Sequence, residues 1–274
     1  FLVMPDNRGL AADIVDEAPE GIEASLLDIP ITATRKDTRT AAAVLDERAD
    51  VVVAFGGDGT TRDVATAVEE TPVAAISTGT NNVVPTNVDG TVAGLGAALL
   101  ATGAVDAADA TNRHRTVRGR VESDDETRTI QGIAALSIVD QPFTGTRAIL
   151  HGADVMGCVV SRASSATTGV TGIAGAVDYV SPYTDGGLGL RLDDPETTPQ
   201  SATAVTLPGV VERVGIAESR RLDPDESITF EVTDGVVSAD GERELEVAEG
   251  TVHLWPTTDG PRLVDFADLF DAAT

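Results

Sequence analysis

Asp50-Val51-Val52-Val53-Ala54-Phe55-Gly56-Gly57-Asp58-Gly59-Thr60 decides the fold. A continuous β-branched run of this kind reads as a strand buried on both faces of a parallel sheet. The glycines that follow at once end the strand, and the spacing predicts a helix from about Arg62 to Glu69. Upstream, Phe1–Met4 is a short apolar strand closed by the turn formers Pro5-Asp6-Asn7-Arg8-Gly9. Asp37 or Thr38 caps a helix to about Arg48, with Ala41, Val44 and Leu45 on one face. Downstream, Pro72–Ile76 is the next buried strand, Ser77–Asn82 a polar turn, and about Thr91 to Ala101 a further helix. This βαβαβα rhythm predicts an α/β domain with a parallel sheet and right-handed crossovers over residues 1–110.

After about Ala110 the texture changes. Val117–Val121, Thr127–Ile138, Arg147–Ile149, Val155–Val160, Leu188–Leu192, Ala202–Leu207, Ser227–Val232, Val236–Ala239 and Val252–Trp255 are short strands separated by Gly, Pro and Asp. That pattern predicts an all-β sandwich domain over 111–256. A tail over 257–274 carries a short helix, Asp265–Ala272, with Phe266, Leu269 and Phe270 on one face to pack back on the first domain. With aromatics at 3% of 274 residues, both cores rest on Val, Leu, Ile and Ala.

Composition excludes several function classes. Nineteen Lys+Arg against 45 Asp+Glu gives a formal charge of −26, a surface that repels phosphate backbones, so no nucleic-acid partner is expected. Lys36 is the one lysine among those cations, and an acidic surface nearly free of lysine reads as salt adaptation. At molar salt the Debye length is ~3 Å, which screens the self-repulsion. No apolar run reaches the ~20 residues of a membrane span, no secretory leader opens the chain, and a cytoplasmic protein is expected. One cysteine, Cys158, excludes an intrachain disulfide and reads as a packing residue. His114, His151 and His253 share no metal-ligand spacing.

Gly56-Gly57-Asp58-Gly59-Thr60 sits where a buried parallel strand gives way to a helix, the place where open α/β sheets bind ligands. Glycines admit an anion to the backbone N–H groups, and the helix terminus adds positive potential. Asp58 would repel a phosphate unless it holds a metal ion or takes a proton from an attacking hydroxyl. One strand later, Thr78, Gly79, Thr80 and Asn81 offer hydroxyl, backbone and amide donors for phosphates or a ribose. The basic cluster Arg113, His114, Arg115, Arg118 and Arg120 either binds a phosphorylated substrate or pairs with Glu122, Asp124 and Asp125. His151 and Asp154 either orient a substrate or form a solvated loop pair.

Phe55-Gly56-Gly57-Asp58-Gly59-Thr60-Thr61-Arg62-Asp63 resembles the signature of the NAD kinase / diacylglycerol kinase superfamily. Ile76 through Pro85 is similar to the AcoX-like and archaeal ATP-NAD-kinase-like branch, and Asp240-Gly241-Glu242-Arg243-Glu244 resembles a segment common there. The resemblance implies a Rossmann- or phosphofructokinase-like α/β domain, a C-terminal β-sandwich and an active site in the cleft between them. It implies ATP or polyphosphate as donor, Mg²⁺, and NAD as substrate, phosphorylated at the adenosine-ribose 2′-OH. Asp58 becomes the catalytic and metal-binding group. Gly56, Gly57, Gly59, Thr60, Thr78, Gly79, Thr80 and Asn81 become the phosphate and nucleotide contacts. A homo-oligomer, dimer or tetramer, is implied as well. Substrate contacts fall on Asn82, Asp140, Asp154, Thr167 and Asp240. The chain departs from the NAD kinases at two of these places. Their Asn-Glu or Asn-Asp pair is replaced by Ser137 and Ile138, leaving Asp140 as a shifted acid, and Ser161–Gly172 lacks the tyrosine of their Thr-Ala-Tyr segment. The superfamily's substrate Asp falls near Met156, beside Asp154. Its opening strand and Asn-Pro-x-x-Gly motif would precede Phe1, so the first domain is expected to be truncated at its start.

Overall fold

A computed structural model of the chain describes residues 1–79, 82–123, 126–141 and 152–274. The strand expected at Arg147–Ile149, and Thr80, Asn81, Asp124, Asp125 and His151, lie outside the described residues. Two compact units form: Phe1–Thr78, Pro85–Asn112 and Pro261–Thr274 make the first, Gly79–Val84 and Arg113–Gly260 the second.

In the first unit, β1 (Leu2–Val3) pairs in parallel with β2 (Ser25–Leu26). Between them lies α1 (Leu10–Asp16), a helix absent from the sequence reading. Asp6 starts it: its carboxylate accepts the N–H groups of Arg8 at 2.5 Å, Gly9 at 2.7 Å and Ala11 at 2.7 Å. These bonds hold Asp6 below the ordinary carboxylate range, against the opposing effect of burial. The next helix, α2 (Arg35–Asp46), begins three or four residues earlier than expected because Thr34 caps it, accepting from the Lys36 N–H at 3.3 Å. Then come β3 (Val52–Gly56), α3 (Asp58–Ala65), β4 (Val73–Ser77), α4 (Gly90–Ala101), α5 (Ala107–Ala110) and β5 (Thr111–Arg113). Asp89 caps α4 through the Thr91 N–H and Asp106 caps α5 through the Ala108 N–H. β3 ends at Gly56, one residue beyond the apolar run, and α3 starts four residues before the expected Arg62, so Asp58, Gly59 and Thr60 form its first turn.

The second unit holds β6 (Val117–Glu122), β7 (Thr127–Gly132), β8 (Ala135–Val139), a 3₁₀ turn at Gly152–Asp154, β9 (Val155–Val160) and α6 (Gly169–Val177). They are followed by β10 (Gly187–Asp193), β11 (Gln200–Leu207), β12 (Val210–Leu222), β13 (Ile228–Ala239) and β14 (Glu242–Pro256). The expected all-β region is one antiparallel sheet of nine strands in the order β11-β12-β10-β9-β8-β13-β14-β6-β7. Its strands share cores across the sheet. Val117 and Val121 of β6 join Leu136, Ile138, Phe230 and Leu222 of β12 in one hydrophobic cluster. Cys158, Val160, Leu188 and Leu190 pack with Ile173 and Ala174 of α6 in another.

The chain then returns to the first unit as β15 (Arg262–Val264), parallel to β4, and α7 (Phe266–Ala272), capped by Asp265. The first unit's sheet runs β3-β4-β15-β5. Gly96 lets α7 close on α4, since a Cβ there would lie 2.9 Å from the Phe266 ring. Ala74, Ile76, Ala93, Leu100, Phe266 and Leu269 form this unit's core. Among the described residues no helix is long and apolar enough to cross a membrane.

Candidate active site

Parallel pairing of β3 with β4 runs from Val52↔Val73 to Gly56↔Ser77, so the two strands end side by side. The Thr78 N–H donates to the Gly56 carbonyl at 3.2 Å and ties the start of the second loop to the first. Glycine is needed at 56 because a Cβ would sit 2.5 Å from the Thr60 side chain, where α3 closes on its own strand. Gly57 is the extended N-cap and offers no side chain to the helix's first N–H groups. Its carbonyl instead accepts from the Thr61 N–H and hydroxyl, both at 3.0 Å. Backbone donors at a helix start beside a parallel strand end suit an anionic ligand. Asp58, 9% exposed, stands in that first turn.

Beyond Thr78 the chain leaves β4 and comes back at Thr86, which brackets Ile76 through Ser77 N–H to Thr86 O and Thr86 N–H to Ala75 O, both 2.9 Å. Within this excursion Gly79 approaches Asn82 closely: a Cβ on Gly79 would lie 3.1 Å from the Asn82 amide nitrogen.

Asp63 departs from expectation. Its place one turn into the helix suggests an acid that merely favours the helix start, yet it is buried and accepts from the Arg39 guanidinium at 2.7 and 2.9 Å, with Arg35 at 4.0 Å. It clamps α2 to α3.

The weaker candidates of the second unit fall into three places. Asp140 donates its N–H to the Asp154 carbonyl at 2.8 Å, so these two meet. The Asp154 carboxylate accepts from the Gln141 amide at 2.5 Å, and Gln141 accepts from the nearly buried Arg243 at 2.6 Å. Thr167 sits before α6, donating to the Ser164 carbonyl at 2.7 Å and to the Thr171 hydroxyl at 3.0 Å. Its segment turns into α6 at Gly169. Asp240, with φ 51°, opens the β13–β14 hairpin, and its carboxylate accepts the N–H groups of Ile133, Ala134 and Ala135 at 2.9, 2.8 and 3.0 Å.

Sequence reasoning missed Gln141, Arg243 and Ser238. Ser238 pairs with Ser137 across β13 and β8, and its hydroxyl is buried with no hydrogen-bond partner among the described residues. Only strand register, which sequence alone does not fix, brings these hydroxyls together. The basic cluster is committed to structure: Arg113 donates to Gly260 O at 2.8 Å, Arg115 pairs with Asp185 at 2.7 Å, Arg118 with Asp259, and Arg120 with Glu122 at 2.8 Å. Burial pushes the Cys158 thiol up to about 12, which makes it an inert core residue.

Family models that match the chain place it in the NAD kinase / diacylglycerol kinase superfamily. The family model described as ATP-NAD kinase N-terminal domain matches residues 15–93, and that described as acetoin catabolism protein X C-terminal domain matches residues 119–259. Acetoin catabolism protein X of Cupriavidus necator is 32% identical over 254 residues, spanning 89% of this chain and 70% of that protein. The chain belongs to the acetoin catabolism protein X family. An uncharacterized protein of Archaeoglobus fulgidus is 44% identical over 80 residues, 29% of this chain and 26% of that protein. Among solved structures, yeast NADH kinase complexed with NADH superposes with a TM-score of 0.59 at 11% identity, over 97% of this chain and 75% of that one.

Proposed function

We propose that this chain is a phosphotransferase that moves a phosphoryl group from ATP or polyphosphate to a hydroxyl, with the adenosine-ribose 2′-OH of NAD as acceptor. The observation that supports the reading is the tie between Thr78 and Gly56, which joins the ends of β3 and β4 where buried Asp58 opens α3. The amides of the first turn of α3 bind and orient the donor phosphates, and Asp58 takes the proton from the acceptor hydroxyl or holds the metal.

Among the described residues no group of three or more His, Cys, Asp or Glu could hold a metal. One carboxylate shared with substrate phosphates is nonetheless how Mg²⁺ is commonly held, so Asp58 fits that ion only with the donor present. When bound, the ion would neutralise charge that develops on the transferring group.

A second reading, a kinase of another hydroxyl acceptor or a nucleotide binder without turnover, is favoured by one observation. Ser137 and Ile138 are buried in β8, and Thr167 and Thr171 spend their hydroxyls on each other and on nearby backbone. ADP formation measured with NAD and a panel of other hydroxyl acceptors, in molar KCl, separates these readings. Turnover with NAD alone supports the first, turnover with another acceptor the second, and none with any acceptor a binding protein. Salt adaptation, a cytoplasmic location and a homo-oligomer, dimer or tetramer, belong to the same proposal; the charge of −26 supports the first of them.

A further inference from the structure

Phe55 is the penultimate residue of β3, and it is 62% exposed. The chain has only six Phe, two Tyr and one Trp, so an aromatic left in solvent beside the glycine loop calls for a reason. Val52, Ala54 and Gly56 are buried while Val53 and Phe55 are exposed, the alternation of a pleated strand. Val53 and Phe55 thus form an apolar strip on one face of β3, which lies at the edge of its sheet. Position 56 faces Thr60 of α3, so Phe55 stands on the opposite face, at the same strand end. An exposed apolar edge strand invites unwanted pairing.

Resting on the phosphotransferase reading above, we propose that Phe55 is a stacking platform for the base of the phosphate donor, which makes that donor a nucleoside triphosphate and not polyphosphate. Phe55 and Asp58 are three positions apart, at most about 10 Å of chain, a span that a ribose and the first phosphates can bridge. The phosphates would meet the first turn of α3 while the base passes over the strand end onto the ring. Every base has a π-face, so stacking of this kind tolerates a change of base. Phe55 is a positioning residue here and takes no part in the transfer itself.

Calorimetric titration of ATP and of inorganic tripolyphosphate, each with Mg²⁺ in molar KCl, into wild type, Phe55→Ala and Phe55→Tyr tests the proposal. The side chain is mostly in solvent, so both variants should fold, and far-UV CD checks this. Phe55→Ala should weaken ATP about 10- to 100-fold, the range for removing one base–aromatic stack, leave tripolyphosphate unchanged, and be rescued by Phe55→Tyr. Unchanged ATP affinity in Phe55→Ala overturns the proposal. So does an equal loss for both probes, which would mean the ring supports the phosphate loop. A sedimentation change without a change in the ratio of the two affinities also overturns it, and assigns the strip to contact with a second copy. Wild type that binds neither probe defeats the phosphotransferase reading and this inference with it. Wild type that binds both, with no dependence on Phe55, defeats the inference alone.

Discussion

Acidification should destabilise the second unit through His114. Its imidazole is fully buried, and Nδ1 lies 2.7 Å from the Arg115 carbonyl oxygen. A carbonyl only accepts, so Nδ1 carries the proton and Nε2 is left with its lone pair. Nε2 has no hydrogen-bond partner among the described residues, and the Tyr183 ring meets the imidazole in a T-shaped contact with centroids 6.3 Å apart. Burial pushes His114 down from 6.5 to about 4; the bond to Arg115 opposes this and the charge of Arg162 adds to it. In the unfolded chain the ring takes a proton near pH 6.5, which the folded chain refuses until about pH 4. Stability is therefore complete above about pH 6.5, falls as pH drops through this window, and levels off below about 4. The interval corresponds to about 3 kcal/mol. Other acids titrate over part of the same range, so the assay is the difference between wild type and His114→Gln in urea unfolding at fixed molar KCl, from about pH 7 to about pH 4. Wild type should lose about 3 kcal/mol more than the variant. Parallel pH profiles for the two proteins would refute the argument, whatever their absolute stabilities.

Asp58→Asn should keep the fold and donor binding while turnover falls ~100-fold or more; Asp63→Asn should spare chemistry and lower stability by about 1 kcal/mol, discounted because Arg39 is 43% exposed. Initial rates beside thermal melts read both, and equal small effects on the rate would remove Asp58 from the mechanism. Asp240→Ala strands three backbone donors and should cost about 3 kcal/mol, with Asp240→Asn recovering part of it; an unchanged melt would mean water replaces the carboxylate. Transfer from molar KCl to dilute buffer should loosen the fold through self-repulsion at a charge of −26, and an identical far-UV CD spectrum in both would defeat the salt argument.

The architecture was legible where local chemistry is strong. β3 and β4 announce themselves as apolar runs ended by glycine or hydroxyl turns, and Asp265 marks the start of α7 as the sequence suggests. What escaped depends on partners distant in sequence. Thr127–Ile138 reads as one strand, but Asp240 takes the N–H groups of Ile133–Ala135 and breaks it into β7 and β8. Ser227–Val232 and Val236–Ala239 read as two strands, yet β13 runs on through Asp234, at φ 53°, and the pairing with β14 holds one register from Thr233 to Gly235. β12 was missed because Val210–Leu222 carries charges on a strand whose exposed positions outnumber its buried ones. α3 started early because the glycines of 56–59 suggest a loop, while the closeness of Thr60 to Gly56 shows helix already formed there.

Among the forty-five acids, what each one holds separates Asp58, the carboxylate we propose for transfer, from those that hold structure. Burying a carboxylate costs free energy that some partner must offset. At Asp37 the N–H groups of Thr32 and Ala33 do so, and the Thr32 hydroxyl first among them holds its carboxyl below the usual range. At Asp63 the offset is Arg39, and at Asp240 it is three strand amides. Asp37 fixes the loop before its own helix, Asp63 joins α2 to α3 and Asp240 joins two turns, so removal of each should register as lost stability. Asp58 differs by position: it opens a helix at the end of a parallel strand, beside a second loop, where the backbone favours an anion. A carboxylate in that place opposes a phosphate ligand unless a cation or a proton in transit lies between them. The charge mismatch, more than the glycines, is what separates a site for transferring phosphate from one that only binds it.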